Sequence, residues 1–204
     1  MTQVGTMSDD TTTMAPLTKT LMQAWIELRS EDAEASSALA VSRMRLEAAR
    51  ALVSLRRVRM FELSGVLPEP SEVAALLHRS TRFYNPAKER CTVRATPDDR
   101  APFKAEETLV LVVDRGLDRR AAAERWWKHE TGARVEVREG LVWALGFEPG
   151  VDVAELTSEL ATVKDRSHGL LSNPHFQDAS TAQGALPPWP WIKARPRARK
   201  GGRS

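Results

Sequence analysis

From Glu107 to Phe147 the chain reads ETLVLVVD (107–114), RGL (115–117), DRRAAAERWWKHETG (118–132) and ARVEVREGLVWALGF (133–147). This order predicts an apolar strand, an amphipathic helix and a tight hairpin, the parts of an α+β core. The strand at 107–114 is apolar almost throughout, as a central strand covered on both faces would be. Asp118 suits the N-cap of the following helix and Gly132 its C-terminal stop. Ala122, Trp126 and His129 share one helix face. Trp127 lies about 100° round the axis from Trp126, so the two rings point apart: one belongs to the core, the other to the surface or an interface. Arg138-Glu139-Gly140 reads as the hairpin turn, with Val135, Val137 and Val142 as core positions.

Working outward, Val151 to Lys164 is amphipathic through Val153, Leu156, Leu160 and Val163. Residues 90–96 alternate Cys91, Val93 and Ala95 against Thr92, Arg94 and Thr96, a half-buried strand with the single cysteine on its apolar side. Upstream, Pro70 opens a helix that buries Val73, Leu76 and Leu77, and Asn85-Pro86 ends it. From Leu17 to Leu63 there is no Pro or Gly, and Ala, Leu, Arg, Glu and Met dominate. The expectation is one long helix over 16–64, or a helical hairpin bent near Glu31 to Ser37. Val41, Met44, Ala48, Ala51, Leu55 and Val58 follow coiled-coil spacing. The fold class is therefore α+β: a long N-terminal helix or helical hairpin precedes a four-stranded, mainly antiparallel sheet with helices packed on one face. This domain, 69–178, resembles a split βαβ sandwich in permuted order, with a pair of ββα units as the rival. Residues 1–15 and 179–204 read as disordered termini.

Composition narrows function less. With 204 residues, 42% hydrophobic and 28% charged, the chain is an ordinary globular protein with extensions. No apolar run approaches a membrane span and no secretory leader is visible, so a cytoplasmic protein is expected. The tail carries Lys193, Arg195, Arg197, Arg199, Lys200 and Arg203 without an acid. Removing those six from the 30 basic residues leaves 24 against 27 acids, so the positive balance belongs to the tail. With Trp189 and Trp191 beside them, these residues combine phosphate attraction with stacking surfaces for a nucleic acid or other polyanion.

Catalytic signals are thin. His78, His129, His168 and His175 have no metal-ligand spacing, the glycines form no phosphate loop, and Asp114, Glu136 and Arg138 lack a lysine to complete an acidic nuclease set. No cofactor, metal or catalytic residue is assigned. The leading expectation is a non-enzymatic interaction or adaptor protein, or a complex subunit. It would use Val41, Met44, Leu55, Val58, Trp126 and Trp127 against a protein partner or a second copy, and its basic tail against a polyanion. One alternative is a nucleic-acid-binding accessory protein acting through that tail. Another is a small enzyme or ligand-binding domain whose pocket gathers Tyr84, Asn85, His168, Asn173 and His175 from the two Asn-Pro loops.

Overall fold

The computed structural model describes residues 20–116 and 119–193. The expected disorder of 1–15 and the Asp118 cap lie outside the described residues. Residues 20–64 do not form a long helix or a helical hairpin. They contain strand β1 (Thr20–Leu28), helix α1 (Ala33–Arg45) and strand β2 (Leu52–Gly65). Then come α2 (Pro70–His78), β3 (Glu89–Arg94), β4 (Thr108–Asp114), α3 (Ala121–Thr131), β5 (Val135–Phe147), α4 (Val153–Ala161) and β6 (Gln177–Gln183). Among the described residues the sheet has six strands rather than four, in the order β3-β1-β2-β5-β4-β6, and each neighbouring pair is antiparallel. Neither a split βαβ sandwich nor paired ββα units describes it.

The physical reason for the missed strands is burial on both faces. In β1, Met22 to Glu27 are all buried, so no alternation marks the strand. β2 is rich in Leu, Arg, Met and Glu, residues that favour helix by intrinsic propensity. Pairing with β1 on one side and β5 on the other overrides that preference. The polar stretch between them holds a helix start: Asp32 caps α1, accepting from the Glu34 and Ala35 amides at 3.0 and 3.2 Å. Its carboxylate also pairs with Arg57 on β2 at 2.8 Å, tying the helix to the sheet.

The predicted hairpin at 134–147 is one continuous strand. Gly140 is no turn: it lies opposite Met60 in mid-strand, and a Cβ there would sit 2.5 Å from Leu111 Cδ1 and 3.5 Å from Ile192 Cδ1. The missing side chain makes room for its neighbours.

Each sheet face has its own cover. On one face, Phe61, Leu63 and Val137 meet Val73, Leu77, Phe83 and Trp127 from the α2 and α3 side. Further along that face, Leu55, Val110 and Leu145 meet Ala35 of α1, Leu160 of α4 and Leu171. On the opposite face, Trp25, Val58, Met60, Leu111 and Val142 are covered without helices, by Phe103 and by Trp191 and Ile192 of the C-terminal segment. Trp25 meets Phe103 edge-on, with ring centroids 5.2 Å apart. Arg56 holds the Phe103 loop down by pairing with Glu27 and Glu107, each at 2.9 Å.

Two outcomes follow from these contacts. Gly140→Ala destabilises the fold by about 1–3 kcal/mol in urea unfolding, as overpacking does, and Leu111→Ala in the same chain recovers part of the loss. Arg57, chiefly, and the helix amides hold the Asp32 carboxyl below its ordinary range. Its stabilisation is complete above the ordinary aspartate value of about 4 and is lost as pH falls through the depressed folded value. Asp32→Ala therefore costs about 1–2 kcal/mol at neutral pH, and the gap to the native chain closes on acidification, read from urea unfolding at a series of pH values.

Candidate functional site

Helix α4 begins at its cap Asp152, which accepts from the Glu155 amide at 3.0 Å, and carries Leu160 and Thr157 on its buried side. Opposite it, β6 follows β4 in register from Thr108↔Gln183 to Asp114↔Gln177. Between helix and strand runs a cleft of about 710 Å³, lined by small residues that include Ala154, Ala161, Ala179 and Thr181. Two threonines with covered hydroxyls line it as well. Thr108 and Thr157 are 7% and 2% exposed, and neither Oγ1 has a hydrogen-bond partner among the described residues. A buried hydroxyl without a partner costs about 1–3 kcal/mol, so two in one cleft are unusual for a surface without a role.

The cleft opens beside a strand edge. β6 is the terminal strand of the sheet and pairs only with β4 among the described residues. Gly184 N donates to Glu107 O at 2.9 Å and Arg115 N to Phe176 O at 2.7 Å. In an antiparallel pair such bonded positions recur every second residue, so the even-numbered residues of β6 bond inward and the amides of Ala179, Thr181 and Gln183 face outward. The other edge, β3, carries Glu89, Arg90 and Arg94, whereas β6 has a single charge, Asp178, and neither Lys nor Pro. Proteins usually guard an edge with such residues.

The C-terminal segment, predicted as a disordered basic tail from 179 onward, first forms β6 and then a strap across the helix-free face. A chain of buried polar groups grips the strap. Arg94 Nη1 donates to Gln23 Oε1 at 2.9 Å and to Pro187 O at 2.8 Å. Arg94 also binds the Pro97 carbonyl, and its Nε donates to Asp99 O at 2.7 Å. Gln23 Nε2 donates to Glu62 Oε1 at 2.9 Å and Pro188 O at 3.0 Å. Glu62 then accepts the Trp191 and Ile192 amides at 2.6 and 3.2 Å. Burial pushes the Glu62 carboxyl up, opposed by these donors, and lowers the Arg94 guanidinium. This network is satisfied, and its work is structural.

The residues singled out in the sequence scatter over this frame. Val41 and Met44 sit on α1, 48% and 87% exposed, while Leu55 and Val58 belong to β2 and are buried on opposite faces. They share no heptad seam. Trp127 is wholly buried, and Trp126 is half-buried against Phe83, with ring centroids 5.8 Å apart. Of the tail set, Trp191 is core and Trp189 lies 5.1 Å from the Arg94 guanidinium, so both rings are engaged by the fold. Lys193 is exposed; Arg195, Arg197, Arg199, Lys200 and Arg203 lie outside the described residues.

The two Asn-Pro loops are not brought into one site. Tyr84 packs in the α2–α3 cluster with its hydroxyl 3.0 Å from His78 Nδ1, and Asn85 caps its own turn at Ala87. His168 pairs with Asp165 at 2.9 Å on an exposed loop, and Asn173 accepts from the His175 amide at 3.0 Å. Cys91 is partly buried beside the core, and burial pushes its thiol up to about 12.

Sequence reading missed Thr108, Thr157 and β6 itself. QDASTAQ offers only one β-branched residue and no apolar stripe; its period-2 placement of Ala179, Thr181 and Gln183 on the cleft side was the available signal. For the strap, Arg94→Met strips donors from four acceptors and lowers stability by about 3 kcal/mol or more, with a red shift of tryptophan emission at denaturant concentrations where the native chain is intact. An unchanged unfolding midpoint would refute the clamp.

No helix among the described residues is long and apolar enough to cross a membrane. In comparisons with known proteins, no family model, curated protein or solved structure matches this chain.

Proposed function

We propose that this chain is a non-enzymatic assembly protein, a subunit that binds another polypeptide by adding an extended strand to β6 over the α4 cleft. The observation that carries this reading is the pairing of an unguarded strand edge with two buried hydroxyls that lack partners, Thr108 and Thr157. An added strand supplies main-chain donors and acceptors to the outward groups of Ala179 and Thr181. Its side chains enter the cleft that Thr108 and Thr157 line, and a small parting of α4 from β6 on binding gives the two covered hydroxyls partners. The small lining residues suit this, because they let a second backbone approach both the strand and the helix. Peptides recognised by strand addition gain affinity from the backbone and selectivity from alternate side chains, and the α4 cleft on one face of β6 differs from the smaller one that the strap lines on the other.

The long helical interface anticipated from residues 41–58 has no part in this reading, since those residues are divided between α1 and the sheet. A polyanion-binding role for the basic tail stands as a separate proposal, resting on charge alone; the two tryptophans expected to stack on bases are engaged by the fold.

Two measurements test the reading. Thr157→Val removes the stranded hydroxyl at nearly constant volume, so it leaves stability unchanged or raises it by about 1 kcal/mol while weakening strand binding. A photo-crosslinking residue at Thr181 yields a polypeptide adduct in living cells, whereas the same group at exposed Met44 yields none. Absence of any adduct at Thr181, together with a destabilised Thr157→Val, would return Thr157 to a purely structural role and sink the proposal.

A further inference from the structure

We infer that the strand added to β6 is the β6 of a second copy of this chain, paired antiparallel across a twofold axis at Ser180. The inference rests on the proposed use of the β6 edge and names its occupant. It comes from the order of residues along the strand, QDASTAQ (177–183), which is nearly the same in both directions about its centre. A twofold axis at Ser180 sets Gln177 opposite Gln183 of the other copy, Asp178 opposite Ala182, and Ala179 opposite Thr181. No like charges meet, and each directly opposed pair is small or amide-bearing.

The hydrogen-bond parity agrees independently. The residues whose amides face outward are the odd-numbered ones, Ala179 and Thr181 among them. The same axis makes Ala179 and Thr181 partners of one another across the interface, so outward donors meet outward acceptors, and Ser180 faces its own mate in a non-bonded pair. An axis between residues would oppose an odd residue to an even one and lose this match. Isologous pairing of this kind closes on itself, so the edge is used up in a dimer instead of propagating a fibre.

A second observation concerns what flanks the strand. Phe176 and Leu186 are 56% and 55% exposed, and they stand just before and just after β6. Exposed large apolar side chains are ordinary when scattered, but two bracketing one bare edge form a pattern. The Ser180 axis places Phe176 opposite Gly184 of the second copy, which has no side chain, and leaves both exposed apolar residues near the ends of the paired strands. A peptide of unrelated sequence would cover the edge without covering both ends. The charged β3 edge offers no comparable self-complementarity, because Glu89, Arg90 and Arg94 are already committed to Arg59, Glu27 and Gln23.

Sedimentation equilibrium on the full purified chain tests this. The native chain is expected at twice its chain mass. Thr181→Pro, which removes only an outward amide, is expected at the mass of one chain. Ser180→Cys gives a direct reading of register, since the two thiols of a non-bonded antiparallel pair stand close enough for a disulfide. Mild oxidation should link it as a dimer, while the native chain stays unlinked because its one cysteine, Cys91, is partly buried on β3 at the opposite edge of the sheet. A native chain that is monomeric at every concentration, with Ser180→Cys unlinked, overturns the inference. A dimer indifferent to Thr181→Pro and unlinked through position 180 also overturns it, placing the contact elsewhere. In either case a Thr181 photo-adduct with a different polypeptide leaves strand addition at β6 standing, and the absence of any adduct removes both.

Discussion

The pairing of β2 with β5, 14 and 13 residues long and in one register from Ser54↔Gly146 to Gly65↔Val135, with a bulge between Leu52 and Ser54, is the constraint on which the molecule depends. Two strands of this length span the whole sheet, so each carries side chains for three separate clusters. One end of their helix-side face packs under α2 and α3, the other under α1 and α4, and the reverse face takes the strap. Between the helix pairs the face is polar. There Arg57 and Arg59 on β2 pair with Asp32, Glu89 and Glu139 and lie against the Trp143 and Phe61 rings. Arginine suits this position because its flat head both stacks and forms paired hydrogen bonds. A Cβ at Gly140 would push on Leu111 and Ile192 together, so one residue in mid-strand lets the β4 neighbour and the strap close over the same spot.

Buried polar groups fall into two kinds in this protein. Gln23, Glu62 and Arg94 are within the core, and every one is bonded to the others or to the strap's backbone. Such a network makes the position of a segment with little regular structure unique, because moving the strap would strand several charged or amide groups at once. Thr108 and Thr157 are the opposite kind: as deeply placed, close to the surface edge of one cleft, and without partners. The indole N–H groups of Trp25, Trp127 and Trp143 are also unpartnered, but they sit inside apolar clusters, where ring packing outweighs the single lost bond. Location separates a tolerated cost from one that a ligand would relieve. Proteins often accept such a local deficit where binding occurs.

The two sheet edges differ in the same spirit. β3 spends its charged side chains on ion pairs and on gripping the strap, and α2 packs alongside it. β6 is built of Ala, Ser, Thr and Gln, which neither repel nor obstruct another strand. With the cleft behind it and Phe176 and Leu186 at its ends, the edge has features that side-chain composition alone does not signal, since none of those residues is remarkable in isolation.

What the sequence by itself determined was the set of locally encoded elements. Pro70 and the spacing of Val73, Leu76 and Leu77 place α2, Gly132 stops α3 in a left-handed conformation, and the alternation at 90–96 and the apolar run at 107–114 mark β3 and β4. The split roles of Trp126 and Trp127 follow from helix geometry. Each signal lies within a few residues of its effect. Tertiary structure alone decided the rest. β1 and β2 contradict their own helix propensity and are strands because neighbours on both sides complete their hydrogen bonds. Gly140 is a turn residue or a packing residue according to what stands across from it. β6 has so little apolar content that only β4 and α4 make it a strand, and the Pro-Trp strap has a fixed course only because Arg94, Gln23 and Glu62 are already buried beneath it. The cleft hydroxyls and the open edge are properties of that assembly, with partners up to 165 residues apart in the chain, and no local pattern carries information over such distances.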